Sequence, residues 1–350
     1  MHSGTTLLHS ILQANPTVYG AAYETKYFEY APTIQHLYPD LNDDQTLCSL
    51  ILTLFDVIKN GRAKSLRDAP VGYRPLEVSL PESELHSLLI QAREQRTYGD
   101  LFRIVFEYLT RQEGKTRWLE KTPQHVFFMD EIMQVIPDVL FVEIVRDPRD
   151  ALASKKKRRD VVWTTDSYQD DERSTRALEK VFDPLWDALA WRMAVRSVQK
   201  MQAAVPDRFI SIRYEDLITD PEPTVRKICN FVDLAFTPEM LDVRWINTAE
   251  GNQKARKGFV AETIGRWAQT LTPAEVALCQ VVNSAYMRRL NYPLAEVPSS
   301  QKARIPLLLL GSGLEFFTRL YKRWRLGGRP FMVNSLKNYG RQLRRMFKHP

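Results

Sequence analysis

The sequence predicts an α/β protein: a mostly parallel sheet in a three-layer arrangement, with helices on both of its faces. Three observations carry this. Short apolar strands alternate with amphipathic helices along most of the 350 residues. The run Val139 to Val145 is almost continuously apolar, the pattern of a strand covered on both faces. At 44% hydrophobic residues, a chain of this length has ample material for a core.

The elements follow in order. Leu7, Leu8, Ile11 and Leu12 form a stripe at helical spacing that begins inside the Gly4 turn and ends at Asn15-Pro16. Thr17 to Tyr19 reads as a short strand, and Tyr23 to Phe28 as a charged, aromatic loop leading into a helix. Between about 43 and 115 the pattern is helical and reads as an insertion. Asp43 or Asp44 caps a run ending near Lys59, Pro81 opens a second helix, and Tyr98 to Arg111 forms a third. A short strand ending at Glu120, a helix Gln124 to Val135 and the strand Val139 to Val145 restore the alternation. Asp147 then caps a helix with Pro148 at its first position. A long helix Trp186 to Ala204, a strand Arg208 to Ile212 and a helix from Asp220-Pro221 through Phe231 follow.

Charge is distributed unevenly. Residues 301–350 hold twelve Lys or Arg against the single Glu315, a local +11; with the whole chain at +7, residues 1–300 net −4. The basic character therefore belongs to the tail, and it points to an anionic membrane surface or an acidic acceptor rather than to nucleic acid. Cys48, Cys229 and Cys279 are odd in number and scattered, which predicts neither a disulfide framework nor a zinc site and fits a reducing compartment. No charged-then-apolar leader opens the sequence and no apolar run approaches the ~20 residues that span a bilayer. The expected location is cytoplasmic, peripheral to a membrane where the tail engages one.

Two segments carry chemistry. Ser3-Gly4-Thr5-Thr6 runs straight into a helix, aiming free backbone N–H groups and two hydroxyls at one point, which suits a phosphate or sulfonate. Thr5 stands where a nucleoside-triphosphate loop places its lysine, which disfavours a kinase or ATPase. About 140 residues later an apolar strand stops at Arg146-Asp147-Pro148-Arg149-Asp150, with Ser154 on the following helix, supplying donors for a second anion. Taken alone, this segment is equally well explained by Asp147 capping the helix and Arg146 pairing with a carboxylate.

The ordered set Ser3-Gly4-Thr5-Thr6, Glu120-Lys121-Thr122-Pro123, Val145 to Asp150 with Ser154, Arg213-Tyr214-Glu215-Asp216-Leu217 and Gly265-Arg266-Trp267 resembles the sulfotransferases that use 3′-phosphoadenosine-5′-phosphosulfate (PAPS). The likeness covers roughly residues 1–290. It implies a P-loop-like core over 1–295, followed by a basic, amphipathic helical tail over 296–350. It also implies sulfuryl transfer to a hydroxyl or amine acceptor of unknown class, with adenosine 3′,5′-bisphosphate as product and no metal. The resemblance assigns Ser3, Gly4, Thr5 and Thr6 to the 5′-phosphosulfate and Arg146 with Ser154 to the 3′-phosphate. Arg256-Lys257-Gly258 resembles the late segment that closes over the 3′-phosphate, and a solvated basic loop explains it equally well.

Lys121 is the expected cation at the sulfuryl group. The cytosolic small-molecule branch carries a histidine two residues after that lysine; here the position is Pro123. Glu24, in a segment resembling the glycan and tyrosylprotein branches, is therefore the expected base, with His125 in reserve. Glu24 pairing with Lys26, or capping the next turn, is the structural alternative. His2 stands where the family usually has Arg or Lys, and it can donate to the same anion. The family also begins with a buried strand just upstream of the glycine turn, so the expectation is a natural chain that starts before Met1. A non-catalytic relative, binding nucleotide or acting as a membrane-associated scaffold, is the alternative function. In the tail, Ile305 to Leu310 and Phe316, Phe317, Tyr321 and Trp324 mix with basic residues. That pattern fits a helix docked on the domain by its aromatic face, or one lying on an anionic membrane.

Overall fold

Short strands embedded among helices define an α/β architecture, seen in a computed structural model that describes residues 4–63, 66, 69–75, 78, 80–164, 182–245, 256–318, 320, 321, 324, 325, 336 and 340. In chain order the elements are α1 (Thr5–Gln13), β1 (Val18–Gly20), α2 (Tyr27–Leu37), α3 (Asp44–Asn60), α4 (Glu82–Glu94), α5 (Tyr98–Gln112) and β2 (Arg117–Leu119). They continue with α6 (Met129–Val135), β3 (Phe141–Val145), α7 (Pro148–Thr164), α8 (Pro184–Ala204), β4 (Phe209–Arg213), α9 (Tyr214–Thr219) and α10 (Pro221–Val232). The last are β5 (Arg244–Trp245), β6 (Arg256–Lys257), α11 (Trp267–Thr270), α12 (Pro273–Arg289) and α13 (Ser299–Lys302).

Two compact units divide these elements. The N-terminal unit comprises Thr5–Phe141 and Val225–Val243; the C-terminal unit comprises Met1–Gly4, Val142–Thr224 and Arg244–Pro350.

In the N-terminal unit, the apolar stripe of α1 is buried as its spacing predicts. Asn15 ends the helix: its carboxamide oxygen accepts from the Thr17 amide at 3.0 Å and hydroxyl at 2.7 Å, and its nitrogen donates to the Ala235 carbonyl. That corner turns the chain into β1, which pairs in parallel with β2 in the register Val18 with Arg117, Tyr19 with Trp118 and Gly20 with Leu119. The helices of the expected insertion form around α3, capped by Asp43 at one end and by Gly61, at φ +69°, at the other. Their core is aromatic where it meets the sheet: Phe102 stacks on Tyr27 at 4.1 Å and Phe106 on Trp118 at 4.5 Å. The predicted helix 124–135 is two pieces, a 3₁₀ turn Pro123–Phe127 and then α6. His125 is held by a side-chain bond at this turn, described below, and a continuous α-helix does not form through it.

In the C-terminal unit, β3 pairs with β4, and a short antiparallel pair joins Arg244 to Lys257 and Trp245 to Arg256. Among the described residues the strands hydrogen-bond only as these three pairs, and the antiparallel β5–β6 pair departs from the mostly parallel expectation. The strands are two to five residues long, so each offers few ladder bonds and helices supply most of the cover. The sequence reading also passed over α12, a 17-residue helix opened by a full capping box of Thr272 and Glu275.

One strand residue carries a pH signature. Glu143 on β3 accepts a 2.6 Å bond from Ser211 on β4, and burial raises its carboxyl to about 7. Its ordinary value is 4.5, so the folded state holds a proton the unfolded chain has released between these limits. This contribution to stability is full below the ordinary value and lost as pH rises to about 7. Glu143→Gln keeps an acceptor for Ser211 and should gain about 1–3 kcal/mol over the unsubstituted chain between pH 5 and pH 8, measured by urea denaturation.

Candidate active site

Parallel pairing of β1 and β2 puts their C-terminal ends on one edge, and each strand runs directly into a predicted site residue. Glu24 follows β1 and Lys121 follows β2; the Lys121 Nζ lies 3.3 Å from Glu24 Oε1. Because α1 ends where β1 begins and packs back along it, the first turn of α1 returns to the same edge. His9, one helical turn beyond Thr5, touches Gly20 at the end of β1 closely enough that a Cβ there would lie 3.0 Å from its Nε2. Burial, and then the Lys121 charge, hold His9 below its ordinary value. The helix that Thr5 and Thr6 open thus brings His9 to the edge that bears Lys121.

The loop carrying Glu24 is fixed from beneath by Glu120. This carboxylate accepts from the Thr25 hydroxyl at 2.8 Å, the Thr122 hydroxyl at 2.6 Å and His125 Nδ1 at 2.8 Å. The Thr122 hydroxyl in turn accepts from the Lys26 amide at 3.2 Å. Lys26 adopts φ +51°, an uncommon conformation for a residue with a Cβ. Burial pushes the Glu120 carboxyl up, but His125 and the two hydroxyls outweigh it and hold the group below its ordinary value.

His125 is not placed like Glu24. Its ring is buried edge-on to Phe28 at 5.1 Å, and its Nε2 has no hydrogen-bond partner among the described residues. The Glu24 side chain is 35% exposed and pairs with Lys121 rather than Lys26. Of the two candidate bases, only Glu24 is open to an incoming acceptor.

The C-terminal unit holds the other predicted anion ligands. Gly4 sits at φ +96°, and a Cβ there would lie 2.4 Å from the Tyr214 ring, so only glycine fits. Arg146 lies over the same ring, 4.4 Å from its centre, and donates to the Thr263 carbonyl at 2.5 Å. The glycine turn and the arginine, 142 positions apart, thus meet on one aromatic side chain. Ser154 is half-buried on α7. The Asp147 side chain accepts from the Arg149 amide at 2.8 Å, the expected cap, while Asp150 accepts from the amides of Gly265 at 2.8 Å and Trp267 at 2.9 Å. Gly258 is described, at φ +87°, next to the backbone pairing of Arg256 and Lys257. The side chains of those two residues, and all of His2 and Ser3, lie outside the described residues.

The signature of the Sulfotransferase family matches residues 1–238, a span that includes Gly4, Glu24, Lys121, Arg146 and Ser154 but not Arg256, Lys257 and Gly258. The chain belongs to the sulfotransferase family. It is 26% identical over 193 residues to carbohydrate sulfotransferase 5 of Mus musculus, covering 50% of this chain and 47% of that protein. It is 26% identical over 250 residues to an omega-hydroxy-beta-dihydromenaquinone-9 sulfotransferase of Mycobacterium bovis, covering 66% of this chain and 60% of that protein. The chain thus matches only about half of the length of these curated relatives. The solved sulfotransferase domain from the Synechococcus PCC 7002 olefin synthase aligns with a TM-score of 0.44 at 18% identity, covering 80% of this chain and 90% of that one.

Sequence reasoning missed several residues of this candidate site. Glu120 and Thr122 stood inside a motif read only for its lysine, and Tyr214 inside one read as a family marker. Their signal was present, as polar residues at the ends of apolar strands, but the partners are 95 residues apart for Thr25 and Glu120 and no spacing rule joins them. His9 gave no signal beyond its place in the helix.

The Glu120 network makes acid stability diagnostic. Its folded value lies below its ordinary 4.5, so its contribution is present above that pH and lost as pH falls through the folded value. Glu120→Gln should cost about 1–3 kcal/mol at pH 7 in urea denaturation. The cost should shrink as both proteins are titrated to acid, because the unsubstituted chain loses the advantage there.

Proposed function

We propose that this chain transfers a sulfuryl group from PAPS to an acceptor hydroxyl or amine by in-line displacement, on a P-loop-like core. The observation that carries it is the Lys121–Glu24 pair, 3.3 Å apart at the shared edge of β1 and β2, with His9 of the helix opened by Thr5 and Thr6 against Gly20 at the same edge.

By resemblance to the family, hydroxyls and a lysine of the N-terminal unit would serve one anionic end of PAPS, and an arginine and a serine of the C-terminal unit the other. The Gly4-Thr5-Thr6 turn would hold the phosphosulfate end. Arg146 and Ser154 would hold the 3′-phosphate, and Arg256, Lys257 and Gly258 belong with them by resemblance. When bound, PAPS supplies a sulfuryl group whose bond to the leaving phosphate breaks as the bond to the acceptor oxygen or nitrogen forms.

The protein's work is positioning and charge. Glu24 accepts the acceptor's proton as the new bond forms. Lys121 neutralises the negative charge that builds on the sulfuryl and bridging oxygens. In the free protein each screens the other, and both side chains are partly exposed, 22% for the lysine and 35% for the glutamate. An ion pair so placed is worth about 0–1 kcal/mol, so an anionic donor can draw Lys121 away and leave Glu24 as an unpaired base. Glu120, through Thr25 and His125, keeps both in place.

The relatives' names include a carbohydrate and a hydroxylated menaquinone as acceptors, which supports a hydroxyl as the acceptor group here. The test is transfer of label from ³⁵S-PAPS to a panel of carbohydrates, hydroxylated isoprenoids, phenols and tyrosine peptides. Glu24→Gln should lower kcat by about 10²–10⁴-fold, and Lys121→Ala by about 10²–10³-fold. His125→Asn should cost far less than Glu24→Gln. If the protein binds adenosine 3′,5′-bisphosphate yet labels no acceptor, the non-catalytic scaffold takes the place of this reading.

A further inference from the structure

The C-terminal helix carries two apolar rows, and the fold uses one of them. Its backbone is helical over 305–318 and again at 320, 321, 324 and 325. The inner row docks: Ile305 packs on the cluster of Leu152, Phe182, Ala188 and Leu271, and the buried Ser312 hydroxyl donates to Asp183 Oδ1 at 2.8 Å. The outer row is Leu307, Leu310, Leu314, Phe317, Tyr321 and Trp324, spaced three and four apart, and every member is 48% exposed or more. The helix therefore docks by a face other than the one bearing most of its aromatics.

Contiguous exposed apolar stripes of this kind mark a surface that something covers. Charge selects the occupant. Residues 301–350 carry +11, with Lys302, Arg304 and Arg325 exposed beside the stripe and Arg319, Lys322 and Arg323 set in the same stretch of sequence. A second copy of the chain would bring two such segments together against their repulsion. An anionic bilayer takes leucines, a phenylalanine and a tryptophan at its boundary and attracts the lysines and arginines at its headgroups. Among the described residues no helix is long and apolar enough to cross a membrane. We propose that the outer face of the C-terminal helix binds the surface of an anionic membrane.

Vesicle flotation of the full chain tests this. The bound fraction should be at least about tenfold higher on phosphatidylcholine vesicles containing about 30 mol % phosphatidylserine than on phosphatidylcholine alone, and should fall as salt rises. The double substitution Leu310→Ser with Phe317→Ser should remove most of that binding. It should leave the thermal midpoint and adenosine 3′,5′-bisphosphate affinity unchanged, since neither residue is buried. Binding that ignores anionic lipid, or that survives the double substitution, overturns the proposal. So does sedimentation showing a dimer that the same substitutions dissociate, without vesicle binding.

Discussion

One buried carboxylate organises the candidate site of the N-terminal unit. Removing an ion from water costs several kcal/mol unless its neighbours replace the lost solvation, and Glu120 is given two hydroxyls and an imidazole nitrogen. Those three donors come from the loop after β1, the residue next to Lys121, and the 3₁₀ turn. Satisfying one charge therefore fixes three backbone segments against each other. The price is visible at Lys26, held at φ +51°, a conformation that costs a residue with a Cβ roughly 1 kcal/mol or more and persists because its amide is bonded to Thr122.

The C-terminal unit reaches the same end by interlocking its motifs. The Asp147 amide donates to Glu215 at 3.0 Å, and Glu215 also accepts from Tyr292 at 2.8 Å. Asp150 ties down Gly265 and Trp267, and Arg149 covers the Trp267 ring at 4.2 Å. Of the charged residues in Arg146 to Asp150, three thus serve the fold. Arg146, seated between Tyr214 and the Thr263 carbonyl, keeps little rotamer freedom.

The strong local signals were legible in the sequence. Caps at Asp43 and Asp147, the helix opening at Pro81, the α1 stripe and the strand ending at Val145 all formed within a few residues of their expected places. The 3₁₀ turn at Pro123 was not, because it goes with a side-chain bond from His125 back to Glu120, five residues earlier, which apolar periodicity does not register. Nor was α12, whose polar and apolar residues are spread around the helix with many of both buried, so periodicity gave it no face. At the site, Glu24 and Lys121 could be named from residue type and context. Their 3.3 Å approach depends on the β1–β2 register, which joins segments about 100 residues apart.

The two acid–base pairs of the N-terminal unit differ in a way that assigns their roles. Glu120 and His125 are 12% and 9% exposed, whereas Glu24 and Lys121 are 35% and 22% exposed. Separating the buried pair would strand a charge in a poorly solvated site, at a cost of about 3–5 kcal/mol, so the pair holds its geometry. The open pair loses little on separation, because water and an incoming anion can each replace a partner. The proposed transfer of a charged group would need both properties at once, a rigid frame and a cation free to change partners, and adjacent residues, Glu120 and Lys121, are placed to supply one each.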